Sequence, residues 1–186
     1  YREGRRKVFW REKPDGEWQQ VADFDPLADA GFTPRWVDED GSVIVSARLG
    51  SDTSALYRFD PKGKRIDPQA MVQVAGFDLV SRLETDRSTH RLLGLHTVAD
   101  RPVSVWFDAA MHKLQQSIDA ALPKDRVNRL YCGRCQSTRY FVVRSSSDRQ
   151  PGEYFLFDRS ASSLQRIGLA QPRIDEASQG TRSFHR

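Results

Sequence analysis

Three strand-like stretches of this chain end in the same Phe-Asp pair, and the pairs recur at a nearly constant spacing. The aspartates of these pairs, 48 and 50 residues apart, are Asp60, Asp108 and Asp158. A second marker, an arginine followed by Trp or Leu, recurs every 47 residues at Arg35, Arg82 and Arg129. A third marker recurs every 48 residues at Asp52, Asp100 and Asp148. Because three markers share one period, we interpret the chain as a repeat of one supersecondary unit.

The one irregular spacing has a local cause in the last turn. The turn Asp148–Gly152 is two residues longer than the turn that begins at Asp100, and this accounts for a spacing of 50 rather than 48 residues. Insertions of this kind are tolerated in surface turns. The repeat therefore continues through the last third of the chain.

Within each repeat the apolar residues follow the period of strands. The residues one and three places before each terminal aspartate are apolar, which predicts a strand with one packed face. The strand before it is apolar almost throughout, which predicts burial of both faces. These inner strands are Val43–Val45, Leu92–Leu95 and Tyr140–Val143. A polar fourth strand is predicted over Lys64–Asp67, Lys113–Ile118 and Leu164–Ile167. A helix over Asp108–Leu122 is an alternative, but the repeat favours a hairpin there.

Four short strands in about 48 residues are typical of a β-propeller blade. We therefore predict an all-β fold, an incomplete β-propeller with about three full four-stranded antiparallel blades and an N-terminal half blade. The half blade covers residues 1–24, and the blades cover residues 32–68, 77–120 and 125–168. Residues 169–186 form a polar tail.

Blades bury their faces against neighbouring blades, so each repeat depends on the next. Three and a half blades fall short of the four at the lower end of known propellers. The chain is accordingly expected to be a piece of a larger propeller. An isolated copy is expected to self-associate through its open blade ends or to stay incompletely ordered there, because such faces are too apolar for a soluble monomer.

Charge and composition exclude several classes of protein. The net charge is +4 and the isoelectric point is about 9.3, but 29 basic and 25 acidic residues are interspersed without a run of five or more like charges. This distribution argues against nucleic-acid binding. Aromatic residues make up 10% of the chain, which is too many for a disordered protein. No apolar stretch reaches the roughly 20 residues of a membrane helix, and no cofactor is predicted.

Two stretches carry a resemblance to a known family. Residues 36–45 and 55–60 resemble the generic blade of bacterial propellers of the TolB and prolyl oligopeptidase kinds. Residues 145–158 resemble the final blade of bacterial prolyl oligopeptidase-family serine peptidases, in the acylaminoacyl-peptidase and dipeptidyl-aminopeptidase branch. Gln171–Asp175 resembles the stretch that joins this blade to the hydrolase domain. The resemblance covers roughly residues 30–186.

The resemblance implies a propeller segment that caps a serine-peptidase active site and gates peptide substrates. Its partners would be the α/β-hydrolase domain of the same parent chain and the peptides, in the bacterial cytoplasm or periplasm. In this family the catalytic residues lie in the hydrolase domain, so no catalytic residue is expected here. The chain has no Gly-x-Ser-x-Gly nucleophile elbow. An alternative is a TolB-like propeller that binds a protein partner, and another is a small closed propeller that binds a carbohydrate or peptide.

Two cysteines form the pattern Cys132-Gly133-Arg134-Cys135. Zinc needs four ligands, and none of His90, His96, His112 and His185 has a ligand spacing to this pair. A thioredoxin-type motif opens a helix after a strand, whereas this one lies between strand-like runs. We therefore predict two thiols or a local disulfide in a turn. No metal site is expected.

The remaining charged residues are assigned by their place in the repeat. Arg149 lies in the longest turn and is the residue predicted to face a partner domain or a substrate. The marker arginines recur once per blade, so a structural role is predicted, with the repeated aspartates as candidate partners. The aspartates themselves are predicted to accept backbone hydrogen bonds in turns. The phenylalanines that precede them, Phe59, Phe107 and Phe157, are predicted to be core residues.

Overall fold

The computed structural model describes residues 4–27 and 31–181, and the fold is mostly β. The chain divides into two compact units, Tyr1–Val80 and Ser81–Arg186. Thirteen strands in the described part form four open, antiparallel sheets, two in each unit. No helix in the described ranges is long and apolar enough to cross a membrane.

Unit 1 contains a two-stranded sheet and a four-stranded sheet. Their strands are β1 (Arg6–Trp10), β2 (Gln19–Phe24), β3 (Phe32–Val37), β4 (Val43–Ala47), β5 (Ala55–Asp60) and β6 (Arg65–Ile66). The four-stranded sheet follows chain order, and the turn between β3 and β4 holds Gly41 at a φ of 80°, which glycine adopts without steric cost. Phe24 of the small sheet contacts Phe32 of the large one, with ring centroids 5.5 Å apart. The two sheets therefore share one hydrophobic core.

Unit 2 contains a three-stranded sheet, a helix and a second four-stranded sheet. Its elements are β7 (Ser81–Thr85), β8 (Leu92–Val98), β9 (Pro102–Trp106), α1 (Ala109–Ala121), β10 (Val127–Tyr131), β11 (Tyr140–Ser146), β12 (Glu153–Asp158) and β13 (Ser163–Leu169). A 3-10 helix over Glu176–Ser178 lies in the tail. One core joins both sheets and the helix through Trp106, Ile118, Leu130 and Phe141.

The predicted polar strand Lys113–Ile118 is wrong, because this segment lies in helix α1. The Asp108 side chain accepts a hydrogen bond from the backbone N–H of Met111 and caps the helix. Met111, Gln115 and Ile118 are buried at the spacing of one helical face. The blade predicted over residues 77–120 thus has three strands and a helix rather than four strands.

The expected core position of Phe107 is also wrong. Phe107 is 37% exposed, whereas the preceding Trp106 is 9% exposed and lies in the core. Trp106 pairs with Gly94 of β8, where a Cβ would collide with the Trp106 ring and the Val105 carbonyl. The missing side chain at Gly94 lets the indole lie on the sheet, and the chain then turns into α1.

Burial of both faces holds for two of the three inner strands. Val43–Val45 of β4 and Leu92–Leu95 of β8 are buried on both faces of their sheets. In β11, however, Tyr140 is 47% and Val142 is 37% exposed, while Phe141 and Val143 are fully buried. The prediction of two-sided burial is therefore wrong for β11, because only one face of its sheet is packed.

The turn-forming role of the repeated aspartates is confirmed for Asp60 and Asp158, whereas Asp108 caps helix α1. The Oδ1 atoms of Asp60, Asp108 and Asp158 accept backbone N–H bonds from Lys62, Met111 and Ser160, respectively. Each aspartate also forms an ion pair with an arginine, in the pairs Asp60–Arg65, Asp108–Arg91 and Asp158–Arg139. None of these partners is a marker arginine. Arg82 pairs instead with Glu84, at 3.3 Å.

Candidate functional site

The cavity that contains Arg149 lies at one end of the sheets of unit 2, and we call it the loop cavity. Its volume is about 660 Å³. The turn before β9, the segment entering β10, the long turn after β11 and the tail line it. Its lining residues are Asp100, Arg101, Pro102, Asp125, Val127, Arg144, Ser146, Ser147, Asp148, Arg149, Pro151, Gln179 and Thr181.

The long turn is held in place by its own hydrogen bonds. The Ser147 N–H donates to the carbonyl of Gln150 at 2.9 Å, and Arg144 Nη2 donates to the carbonyl of Pro151 at 2.5 Å. Arg149 Nε donates to the Gln179 carbonyl of the tail at 3.2 Å. The guanidinium of Arg149 is thus anchored by one nitrogen on the cavity wall.

The charges of the loop cavity are of both signs. Its cations are Arg101, Arg144 and Arg149, and its acids are Asp100, Asp125 and Asp148. A guanidinium can bind a carboxylate through two parallel hydrogen bonds, and a carboxylate can bind an ammonium group. The loop cavity can therefore accept the charged ends or side chains of a peptide. The sequence pointed to Arg149 alone and missed Arg144 and Arg101.

The cysteines lie at the opposite end of the last sheet from Arg149. Cys132 and Cys135 form a disulfide in the β10–β11 connection, with their Cα atoms 5.0 Å apart. Cys135 is fully buried, and its carbonyl accepts a hydrogen bond from Arg159 Nη2 at 2.8 Å. This environment assigns the pair a structural role. His185 lies outside the described residues. Within the described ranges, no cluster of three or more His, Cys, Asp or Glu side chains is arranged to hold a metal ion.

Unit 1 carries a cavity of about 960 Å³ at the turns of its four-stranded sheet. Trp10, Val37, Phe59 and Ile66 supply apolar surface, and the Glu12–Lys62 ion pair, 2.5 Å long, lies at the rim. The carboxyl of Glu12 has a lowered pKa, first because Lys62 donates a hydrogen bond to it. No motif in the sequence predicted this cavity.

Comparisons with known proteins identify no relative. No family model matches the chain, and no similar curated protein or solved structure is found. The chemistry of the chain must therefore be argued from its own side chains.

Glu84 on β7, His96 on β8 and Ser104 on β9 lie side by side in one sheet. Ser104 Oγ is 2.8 Å from His96 Nδ1, and His96 Nε2 is 3.4 Å from Glu84 Oε1. Burial, together with the nearby Arg129 and Arg82, lowers the pKa of His96 to about 4. Burial likewise raises the pKa of Glu84, against the opposing effect of Arg82 and Arg129.

The order Ser-His-Glu is that of an activated nucleophile, but the low pKa of His96 argues against this role. A general base works best when its pKa is close to the working pH, and His96 would be a weak base at neutral pH. His96 is 2% exposed and packs edge-on against Trp106, with ring centroids 5.8 Å apart. His96 and Glu84 are buried and Ser104 is half-buried, and the hydrogen bond among the three side chains joins Ser104 to His96.

Unit 2 should lose stability as the pH falls from about 6.5 to about 4. Over this range the unfolded chain protonates His96 and the folded chain does not, so protons favour unfolding. The shift from 6.5 to about 4 corresponds to roughly 3 kcal/mol of unfolding free energy. The raised pKa of Glu84 acts in the opposite sense, because its contribution is present at low pH and lost as the pH rises. Urea denaturation at several pH values measures the slope.

The matched controls are His96→Gln and His112→Gln. His96→Gln should flatten the pH dependence, whereas His112→Gln, which changes an exposed histidine on α1, should leave it unchanged. An unaltered slope in His96→Gln would show that His96 does not titrate as its environment indicates.

Proposed function

We propose that this chain is a non-catalytic β-propeller segment of a serine peptidase of the prolyl oligopeptidase family. In this proposal it caps the active site of an α/β-hydrolase domain in the same parent chain and gates the entry of peptides. The observation that carries the proposal is the recurrence of antiparallel sheets in chain order at the 47- to 48-residue period of the sequence.

The sheets have the properties that blades require. The four-stranded sheets β3–β6 and β10–β13 each follow chain order, as in a propeller blade. Within each unit, one sheet shares a hydrophobic core with the other. We interpret β1–β2 as the half blade and the three later sheets as blades, with α1 in place of one outer strand.

The exposed face of the last sheet fits the same interpretation. Val142 lies opposite Leu156 on β12 and Tyr131 on β10, so these residues share a face with Tyr140. Tyr140 and Val142 on that face are both more than one-third exposed. A neighbouring blade would bury such a face, and in an isolated copy a second copy could do so.

The loop cavity supports the assignment of peptides as the gated molecules. Its cations and carboxylates provide partners for both charged ends of a peptide, and Arg149 is anchored at its wall. In this proposal the hydrolytic chemistry belongs to the hydrolase domain, in agreement with the low pKa of His96. A peptide in this cavity would be held or excluded, and it would be cleaved elsewhere.

The isolated chain should show no turnover of aminoacyl or dipeptidyl chromogenic amides. Such assays, with and without a serine-directed inhibitor, test the assignment directly. Turnover that is abolished both by the inhibitor and by Ser104→Ala would contradict the proposal and place the chemistry on this chain.

The sequence that follows Arg186 in the native protein separates the leading proposal from its alternative. An Arg-Asp-Gly segment followed by Gly-x-Ser-x-Gly would support the peptidase. A native chain that ends near Arg186 would remove that proposal and favour a TolB-like propeller that binds a protein.

A further inference from the structure

A second polar cavity of unit 2 lies between β9, α1 and the segment that leads into β10, and we call it the helix cavity. Its volume is about 320 Å³, at the lower end of the range for small-molecule sites. Its polar lining includes Ser104, Gln115, Asp119, Lys124, Arg126 and Asn128. The helix cavity exists because α1 replaces a strand of the repeat.

A chain of hydrogen bonds fixes the amides of this cavity. Trp106 Nε1 donates to Gln115 Oε1 at 3.1 Å. Gln115 Nε2 donates to Asp119 Oδ1 at 2.9 Å and to the Asn128 carbonyl at 2.8 Å. Gln115 therefore has both amide hydrogens and its oxygen engaged. A buried glutamine in the apolar stripe of α1, between Met111 and Ile118, departs from ordinary core packing.

Asn128 is the side chain with an unmet acceptor. Its Nδ2 donates to Asp119 Oδ1 at 2.9 Å, and because a carboxylate only accepts, this bond fixes the orientation of the amide. The other atom, Oδ1, is buried and has no hydrogen-bond partner among the described residues, and Asn128 is 4% exposed. An unpaired buried acceptor is unfavourable by about 1–3 kcal/mol, so a donor is required at this point.

The charges around the cavity complement a zwitterion. Asp119 is exposed and offers a carboxylate beside the Asn128 acceptor. Lys124 is exposed, and no ion pair to it occurs in the described part of the chain. Arg126 is already neutralised, because it contacts Glu153 at 2.6 Å and Glu176 at 3.5 Å. The available groups are thus two acceptors for an ammonium, and two cations, Lys124 and the Arg101 of the same lining, for a carboxylate.

We infer that the helix cavity binds a small zwitterion of the α-amino acid class. Asn128 Oδ1 and Asp119 accept the hydrogens of the ammonium group, and Lys124 binds the carboxylate. The volume admits a free amino acid or a dipeptide. This inference depends on the groups of the helix cavity alone and does not require the proposed function.

The test is a titration of the ¹⁵N-labelled chain with L-alanine, L-leucine and L-glutamine, followed by amide chemical shifts. Saturable shifts should centre on α1 and on the start of β10. N-acetyl-L-alanine and L-alanine amide each lack one charge and should bind at least about tenfold more weakly, since hydrogen bonds to charged groups contribute about 1.5–3 kcal/mol. Acetate and ethylamine serve as single-charge probes.

Two variants and one control locate the binding groups. Lys124→Met alters an exposed side chain and should weaken amino-acid binding about tenfold while leaving the affinity for L-alanine amide unchanged. Asn128→Leu should remove binding of both, and Lys113→Met, elsewhere on α1, should change neither. If Asn128→Leu fails to fold, the comparison of L-alanine with L-alanine amide in Lys124→Met still tests the inference.

Two results would overturn the inference. In the first, none of the amino acids produces a saturable amide chemical-shift change in the helix cavity at concentrations up to about 20 mM, on the order of the weakest dissociation constant that would be useful. In the second, acetate and ethylamine bind as well as the amino acids, which would mean that the cavity takes up single charges without selecting a zwitterion and that the ion binding is adventitious.

Discussion

Asp86→Ala should lower the unfolding free energy of unit 2 by about 3 to 5 kcal/mol, because it removes a buried, multiply hydrogen-bonded carboxylate. Asp86 is fully buried in the turn between β7 and β8. Its Oδ1 accepts the N–H groups of Ser88, at 2.8 Å, and Thr89, at 3.2 Å, and also the Ser88 hydroxyl. Its Oδ2 accepts the N–H of Gln136, at 2.8 Å. The carboxylate thus ties the turn to the β10–β11 connection.

The bonds made by Asp86 also set its acid dependence. Burial alone would raise its pKa, but the N–H of Gln136 and the hydroxyl and N–H of Ser88 outweigh this and lower the pKa to about 2. The stabilising contribution of Asp86 is therefore complete above the ordinary value of 3.8 and is lost as the pH falls through about 2.

Urea denaturation followed by circular dichroism, with hydrogen exchange of the unit 2 amides, measures the effect. Asp86→Asn keeps one acceptor oxygen and should lose less than the alanine variant. Asp125→Ala, at an exposed position of the same unit, should stay within about 0.5 kcal/mol of the parent chain. A loss at Asp86 no larger than that at Asp125 would contradict the role of the buried carboxylate.

Asp86 shows which contacts the repeat can predict and which it cannot. It lies 48 residues after Asp38, which occupies the corresponding turn between β3 and β4. The period therefore predicts the turn and its aspartate. The bond to Gln136 joins residues 50 positions apart, and no local pattern contains it. Periodicity thus predicts the local structure of each repeat, and the contacts between repeats depend on the tertiary structure.

Helix α1 shows where local propensity overrides the repeat. After Asp60 the chain continues with Pro61-Lys62-Gly63, which forms a turn, whereas Asp108 is followed by Ala109-Ala110-Met111. Alanine and the residues after it are good helix formers, and the aspartate caps the N-terminus. The same aspartate therefore ends a strand in both repeats but begins a helix in only one.

The helix cavity depends on this departure from the repeat. Gln115 and Asp119 belong to α1, and Asn128 belongs to β10. A strand through Lys113–Ile118 would hold Gln115 and Asp119 about 13 Å apart along the chain, whereas one turn of helix brings the two side chains together. The sequence pattern that could have predicted helix α1 is the helical spacing of Met111, Gln115 and Ile118 after a capping aspartate.

Phe141→Ala should destabilise unit 2 by about 3 to 5 kcal/mol, the usual loss when a buried aromatic ring is removed. Phe141 is fully buried on the packed face of β11. Its ring lies 6.5 Å from that of Phe157, between centroids, and the Arg159 guanidinium carbon lies 4.7 Å from the ring centroid. Because β11 is paired with a strand on each side, the space left by the missing ring should collapse only in part.

The neighbouring Tyr140→Ala is the matched control, because it removes an aromatic ring from the same strand but from the exposed face. Tyr140 is 47% exposed and is contacted by the exposed Arg139, so its loss should be about 1 kcal/mol or less. Equal losses at the two positions would mean that both faces of β11 are packed in solution, as in an assembled pair of blades. A large difference would establish the one-sided burial that distinguishes β11 from β4 and β8.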